Sequence, residues 1–156
     1  MQIHLVAASN RQPAWVEAAC AEYAKRLRGS VRLDLTDVRL AKRGASDPVE
    51  RARDDEATRM LAALPKGAFV VALCETGTAW TTAELAAQLA GWMRHGETPG
   101  LLIGGPDGLG KSCIDAARAR WSLSALTLPH GLAKIVVVEA LYRAWSLLEG
   151  HPYHRA

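Results

Sequence analysis

One segment constrains this chain more than any other: the apolar run Gly100–Ile103 passes without a spacer into Gly104-Gly105-Pro106-Asp107-Gly108-Leu109-Gly110. A short apolar run suits a buried strand, and the glycines behind it suit a tight turn, because glycine enters the left-handed backbone region at little cost. Ser112, with Asp115 three residues later, offers a cap for a helix beyond the turn. The rest of the chain repeats this alternation. Ile3–Ala7 reads as a buried strand, and Asn10 to Pro13 supply cap and first-turn chemistry for a helix to about Leu27. Val31, Leu33, Leu35 and Val38 give the near-alternation of a half-exposed strand ahead of a basic loop, Arg39–Ser46. Asp47 and Pro48 start a helix to about Leu64. Ala68–Cys74 is a strand bounded by Gly67 and by Thr76-Gly77, and Thr81 or Thr82 caps a helix to about Arg94. Trp121–Thr127 reads as a strand and connecting loop stopped by Pro129. From Leu132 to Leu148 apolar residues recur at helical spacing, and that length outweighs the β-branched run Ile135–Val138. So much apolar surface on one helix implies burial on more than one side, in the core or against a second subunit. Strands alternating with helices predict an α/β domain with a mainly parallel sheet flanked by helices, and a ligand site at the carboxyl ends of its strands.

Composition narrows the class. With 156 residues and 49% apolar content the chain buries a proper core as one domain, residues 1–156, without disulfides or metal. Cys20, Cys74 and Cys113 fit no paired or metal-binding spacing and read as reduced core thiols; no metal site is expected. The apolar runs fall far short of the roughly 20 residues that span a bilayer, and no basic segment precedes an apolar one at the N-terminus, so no membrane association is expected and the cytoplasm is the default. The formal charge is only +3, yet the segment from residue 25 to 43 holds seven basic residues (Lys25, Arg26, Arg28, Arg32, Arg39, Lys42, Arg43) against Asp34 and Asp37. That local +5 can hold phosphates and steer an RNA partner, or it can be a solvated helix end and loop. Trp80, Trp92, Trp121 and Trp145 are read as core or interface, since tryptophan mainly buries area.

Gly105–Ser112 also fits the spacing of a P-loop that cradles nucleotide phosphates, a reading that would make the chain a nucleotide hydrolase or kinase. Three observations weigh against it. Only 44 residues follow Ser112, too few for the remainder of such a core. No apolar strand ends in a magnesium-binding Asp, and Pro106 removes one of the amide donors the loop would use. A plain turn, or a different backbone-lined cofactor site, remains.

Four ordered motifs carry a family resemblance: Leu101-Leu-Ile-Gly-Gly-Pro-Asp-Gly-Leu109, Trp121-Ser-Leu-Ser-Ala-Leu-Thr-Leu-Pro-His130, Glu139-Ala-Leu-Tyr-Arg-Ala144 and Pro152-Tyr-His-Arg155. Together with Lys42-Arg43-Gly44 and the first βα unit, they resemble the ribosomal RNA large subunit methyltransferase H family of the SPOUT superfamily over essentially the whole chain. The resemblance implies a homodimer that transfers a methyl group from S-adenosylmethionine to N3 of a pseudouridine in large-subunit (23S) ribosomal RNA on the assembled ribosome. It also implies a deep C-terminal trefoil knot, an exception to the usual avoidance of knots. Carried over by position, the cofactor is expected at Leu73, at Gly104 and Gly105, and at Leu123, Ser124, Ala125, Leu126, Thr127 and Leu128. His130, Arg143, Tyr153 and His154 are the expected catalytic residues. Arg143 would stabilise the base oxygens or a phosphate, His154 would take the proton directly or through water, and His130 and Tyr153 would orient the base. Lys25, Arg26, Arg28, Lys42, Arg43 and Arg155 are the expected RNA contacts, with the tail reaching its site in its own subunit or across the dimer. The same fold serving as a non-enzymatic RNA-binding module stays open at this level. Cys74 stands where relatives usually carry Asp, and Lys134 where Arg is frequent.

Overall fold

The computed structural model describes residues 1–155. Five parallel strands form one sheet in the order β2-β1-β4-β3-β5: β1 (Gln2–Ala8), β2 (Arg32–Val38), β3 (Phe69–Ala79), β4 (Pro99–Ile103) and β5 (Ala119–Ser122). All five residues of β4 are buried, as a central parallel strand covered on both faces requires, whereas β2 alternates because it lies at an edge. Residues alternate between two cores. Ile3, Leu5, Val71, Leu101 and Ile103 face α1 (Ala14–Ala24), α3 (Thr82–Arg94) and α5 (His130–Leu148). Val6, Ala8, Val70 and Leu102 face α2 (Val49–Ala62) and α4 (Lys111–Ala116). The result is the predicted α/β architecture.

Helix α5 packs against α1 and α3 through Val137, Val138 and Leu141, while Leu132, Val136, Leu147 and Leu148 stay exposed. Packing therefore overrides the strand propensity of its β-branched run. Its Lys134 is 2% exposed and donates to both carboxylate oxygens of Asp37 at the end of β2, at 2.9 and 3.0 Å. Ser9 Oγ donates to the same carboxylate at 3.3 Å, so the buried charge is met from two sides. Trp92 and Trp121 are buried, and Trp80 stacks on Trp121.

Several local expectations change. Helix α1 ends at Ala24, because Arg26 and Leu27 donate to Tyr23 and Ala24 in tighter i to i+3 turns that lead to Gly29 at positive φ. Side-chain caps are absent from α1 and α2, which start behind Pro13 and Pro48; the Asp47 carboxylate turns back to the Gly44 amide. The Ser112–Asp115 box does not form. Gly110 precedes α4, and Asp115 pairs with Lys111. A Cβ at Gly110 would lie 2.6 Å from the Arg53 carbonyl oxygen, so α4 is seated directly on α2. Only α3 carries the full capping box, Thr81 with Glu84. Strand β5 begins at Ala119, earlier than expected, and leaves residues 123–129 as loop. Strand β3 does not stop at Cys74. Trp121 of β5 pairs with both Leu73 and Thr78, so residues 74–77 bulge out and pairing resumes beyond them. Leu101 is fully buried at the centre of this sheet. Leu101→Ala is expected to lower unfolding free energy by about 3 kcal/mol in urea titrations, with unchanged slope.

Candidate active site

The carboxyl ends of β3, β4 and β5 enclose a cavity of about 840 Å³. Three loops wall it: the β3 bulge with Cys74, Glu75 and Thr76, the glycine loop from Gly104 to Leu109, and the segment from Ser122 to Pro129. His130 and Ala133 close it from the first turn of α5.

Each wall is shaped by main chain approaching main chain. A Cβ at Gly104 would lie 2.4 Å from the Gly108 carbonyl carbon and 2.6 Å from the Leu109 nitrogen. The loop folds back on itself there: the Gly108 amide donates to the Gly105 carbonyl at 3.0 Å, and Gly108 itself has φ +79°. At Gly77 a Cβ would meet the Trp121 backbone at 2.7 Å, which lets the bulge lie against β5. The third loop is braced by Ser124 Oγ, which accepts from the Leu126 amide at 2.9 Å, and by Thr127 Oγ1, which donates to Glu75 at 3.1 Å.

Of the expected cofactor residues, Leu73, Gly104, Gly105, Leu123, Ser124, Leu126, Thr127 and Leu128 line this cavity, and Ala125 does not. Leu126 is 75% exposed at the mouth. Lys111 and Ser112 are not among the lining residues, so the P-loop reading loses its lysine and its hydroxyl. Cys74, expected in the core, is half-buried in the cavity wall, while Cys20 and Cys113 are buried; burial pushes the Cys113 thiol up to about 11. Among the described residues no cluster of three or more His, Cys, Asp or Glu side chains is arranged to hold a metal, and no helix is long and apolar enough to cross a membrane.

The expected catalytic residues divide. His130 is at the cavity, but Arg143 is thirteen residues along the same helix, about 20 Å away at the helical rise. Tyr153 and His154, on a single 3₁₀ turn (Pro152–His154), pack against that distant end. Glu139 organises them: its Oε1 accepts from Arg143 Nε at 2.9 Å and from the Tyr153 hydroxyl at 3.0 Å. The Arg143 guanidinium lies 4.9 Å from the Tyr153 ring centroid, and the Tyr142 ring is 4.6 Å from that of Tyr153. Glu139 pushes the Arg143 guanidinium up, so it is charged at every working pH. Burial, followed by hydrogen bonds with Tyr23 and Glu139, pushes the Tyr153 phenol up, so it keeps its proton and acts as a donor. His154 Nδ1 lies within hydrogen-bond distance of the His151 carbonyl, an arrangement in which Nδ1 is the donor and Nε2 points to the other side of the ring. Sequence reasoning gave Glu139 no role, although its i, i+4 spacing from Arg143 is the available signal.

The basic segment divides as well. Lys25, Arg26 and Arg28 follow α1 at the amino edge of the sheet, whereas Lys42 and Arg43 follow β2 at the carboxyl edge, and the seven residues of β2 hold them about 20 Å apart. The stretch that looked like one patch is two. Lys25 and Arg26 both pair with Glu22, and Arg26 lies over the Tyr23 ring at 5.2 Å. Arg43 is held by Glu56 and Asp107, at 2.8 and 2.7 Å. Arg28, Lys42 and Arg155 are exposed.

A cavity walled by main chain and leucines at the carboxyl ends of parallel strands is the shape of a small-molecule or cofactor site in an α/β domain. The residues fit S-adenosylmethionine: the leucines would face an adenine, the closely approaching backbone would serve its polar groups, and Glu75 would oppose its positive charge. A family model described as "Predicted SPOUT methyltransferase" matches residues 1–154, and the chain belongs to this family. Proteins named ribosomal RNA large subunit methyltransferase H are its relatives along the full length. That of Thioalkalivibrio sulfidiphilus (strain HL-EbGR7) is 50% identical over 155 residues, 99% of each chain, and that of Alkalilimnicola ehrlichii is 49% identical over 156 residues, 100% of each. Two solved structures share the fold. One is a probable methylase family protein from Haemophilus influenzae Rd KW20, with TM-score 0.56 and 11% identity, covering 97% of this chain and 69% of that one. The other, described for 2-OH methylation of C/U34 on tRNA, has TM-score 0.52 and 21% identity, covering 96% and 98%. The chain is an S-adenosylmethionine-dependent methyltransferase. Gly104→Ala is expected to weaken S-adenosylmethionine binding by more than about tenfold in calorimetric titration, because the loop has to open to admit one methyl group.

Proposed function

We propose that this enzyme methylates N3 of a pseudouridine in 23S ribosomal RNA, working in the cytoplasm on the assembled ribosome as a homodimer with a C-terminal trefoil knot. The observation that carries the dimer is the separation of His130 and the cavity from Arg143, Tyr153 and His154 by most of α5. One chain cannot bring both ends to one base. A second copy related by a two-fold axis brings its tail to the first copy's cavity and forms two composite sites. Helix α5 offers the surface: Leu132, Val136, Ala140, Arg143 and Leu147 share one stripe, and Leu132, Val136 and Leu147 are exposed along it. The relatives' printed name, at half of all positions identical, supports the ribosomal RNA substrate. The return of β5 to the edge beside β3, with α5 then packing across to α1, is the chain path in which the family's knot is expected.

The chemistry follows from the weak acidity of the imide N3–H. Bound S-adenosylmethionine supplies an electrophilic methyl group. Nitrogen becomes a nucleophile when its proton leaves and the charge passing to the neighbouring oxygens is met. His154 Nε2 takes that proton. Arg143, held at a fixed angle by Glu139, faces the oxygens as a permanent cation. Tyr153 and His130 orient the base from either side, and Leu126 and Leu128 exclude water from the mouth of the cavity. Arg28, Lys42 and Arg155 hold phosphates, whereas Lys25, Arg26 and Arg43 are already bound by carboxylates of their own chain.

Arg143→Ala, or removal of residues 153–156, is expected to lower turnover on ribosomes lacking the modification by about a hundredfold or more, with S-adenosylmethionine affinity within about threefold. Equal loss of cofactor binding would overturn the assignment of roles. Mixing Arg143→Ala with Gly104→Ala protein tests the dimer. Shared sites restore activity in the mixed species, because one composite site is intact, whereas sites confined to single chains leave the mixture inactive. Mapping the methyl group by nuclease digestion and mass spectrometry checks the N3 position.

A further inference from the structure

Arg43 lies on an exposed segment rich in cations, yet its guanidinium faces inward. Nε donates to Asp107 Oδ2 at 2.7 Å, and Nη1 reaches Glu56 Oε1 at 2.8 Å and the Ala41 carbonyl at 3.0 Å. Asp107 is a wall of the cofactor cavity. Glu56, on α2, is 2% exposed and also accepts from the Ala41 amide at 3.1 Å. Its second oxygen has no partner and lies under the glycine loop, 3.2 Å from where a Cβ on Gly105 would stand; Leu40 fills the same place at 2.7 Å. Arg53 adds a weaker bond to the Asp107 carbonyl at 3.4 Å. The segment that carries Lys42 therefore forms the floor of the glycine loop, and one planar cation joins the two.

We propose that Arg43 is a positioning residue, not a phosphate ligand: by clamping Asp107 to Glu56 it fixes the glycine loop to the RNA-facing segment and couples cofactor binding to the state of that segment. The proposal rests on the cavity being the cofactor site. A guanidinium suits the task because its rigid fork satisfies two carboxylates at once, which an ammonium on a flexible stem does not. Glu56 is buried as a charge and depends on the same cation, so Arg43 and the loop floor stand or fall together. Coupling of this kind is reciprocal: whatever orders the 40–46 segment tightens the cofactor, and the cofactor orders that segment in return.

The test measures S-adenosylmethionine affinity calorimetrically on RNA-free protein, with amide hydrogen exchange of residues 40–46 in the presence and absence of cofactor. Asp107→Asn is the principal variant, since it removes the charge that Arg43 holds on the loop and leaves the Glu56–Arg43 pair intact should Arg43→Ala fold poorly. Both are expected to weaken the cofactor by about tenfold, and the double variant to be no weaker than the worse single one. Arg43→Lys does not restore binding, and Arg51→Ala, which removes an exposed cation from α2, leaves it unchanged. Cofactor slows exchange of residues 40–46 in the parent protein and not in Asp107→Asn. Parent-like cofactor affinity in Asp107→Asn and Arg43→Ala, with weakened ribosome binding in Arg43→Ala, overturns the proposal and makes Arg43 an RNA contact. Gly104→Ala separates the two levels: lost cofactor binding there with none lost in Asp107→Asn sinks only the coupling, whereas parent-like binding in Gly104→Ala sinks the site itself.

Discussion

Close contact between backbones at the carboxyl ends of the central strands governs the rest of this molecule. At Gly77 and Gly104 no side chain fits, because another stretch of main chain occupies the space. Adjacent parallel strands put the loops that follow them side by side; Gly77 lets the β3 bulge lie against β5, and Gly104 lets the glycine loop fold back on itself. Peptide groups thereby become the walls of a cavity, with their hydrogen-bonding groups fixed by the sheet. A ligand there is recognised by geometry that side-chain substitution changes little, whereas one methyl group at Gly104 disturbs all of it.

Helix α5 carries this arrangement to the opposite end of the strands. Because it packs on both α1 and α3, it is held by that packing and by the Lys134–Asp37 pair, and both of its ends are placed by the same core. One end closes the cavity with His130; the other presents Arg143 and the tail under the control of Glu139. A rigid rod of this length keeps the two sets of groups apart within one chain. If both sets act on one base, as proposed above, a second copy of the chain is needed to bring them together.

Periodicity made the architecture legible: the alternation of short apolar runs with helical segments located all five strands and all five helices, and the length of the Leu132–Leu148 pattern outweighed its β-branched centre. Ends of elements were less legible for a physical reason. Ser112 and Asp115 have capping chemistry, but α4 is positioned by the contact of Gly110 with α2, and tertiary packing decides where a six-residue helix starts. Thr76-Gly77 has the composition of a turn, yet pairing with β5 carries the strand past it as a bulge. In the site, motif resemblance found the cavity-lining leucines and glycines. It assigned nothing to Glu56 or Glu139, because a carboxylate that organises a cation is visible only once the chain has folded around the pair.

Charge shows the same dependence on folding. Seven basic residues within nineteen positions look like one surface, but β2 runs through the middle of them and sends the two halves to opposite ends of the strands. Intramolecular carboxylates then take up Lys25, Arg26 and Arg43, so the cations left for a polyanion are fewer than counting implies. Those that remain are divided too: Lys42 follows the carboxyl end of β2, and Arg28 precedes its amino end. The two-fold pairing proposed above, which would bring the tail of one chain to the cavity of another, would bring these two groups of cations together as well. The division of charge and the separation of His130 from Arg143 and the tail are consequences of one chain path, and in the proposed dimer a single symmetry operation would repair both.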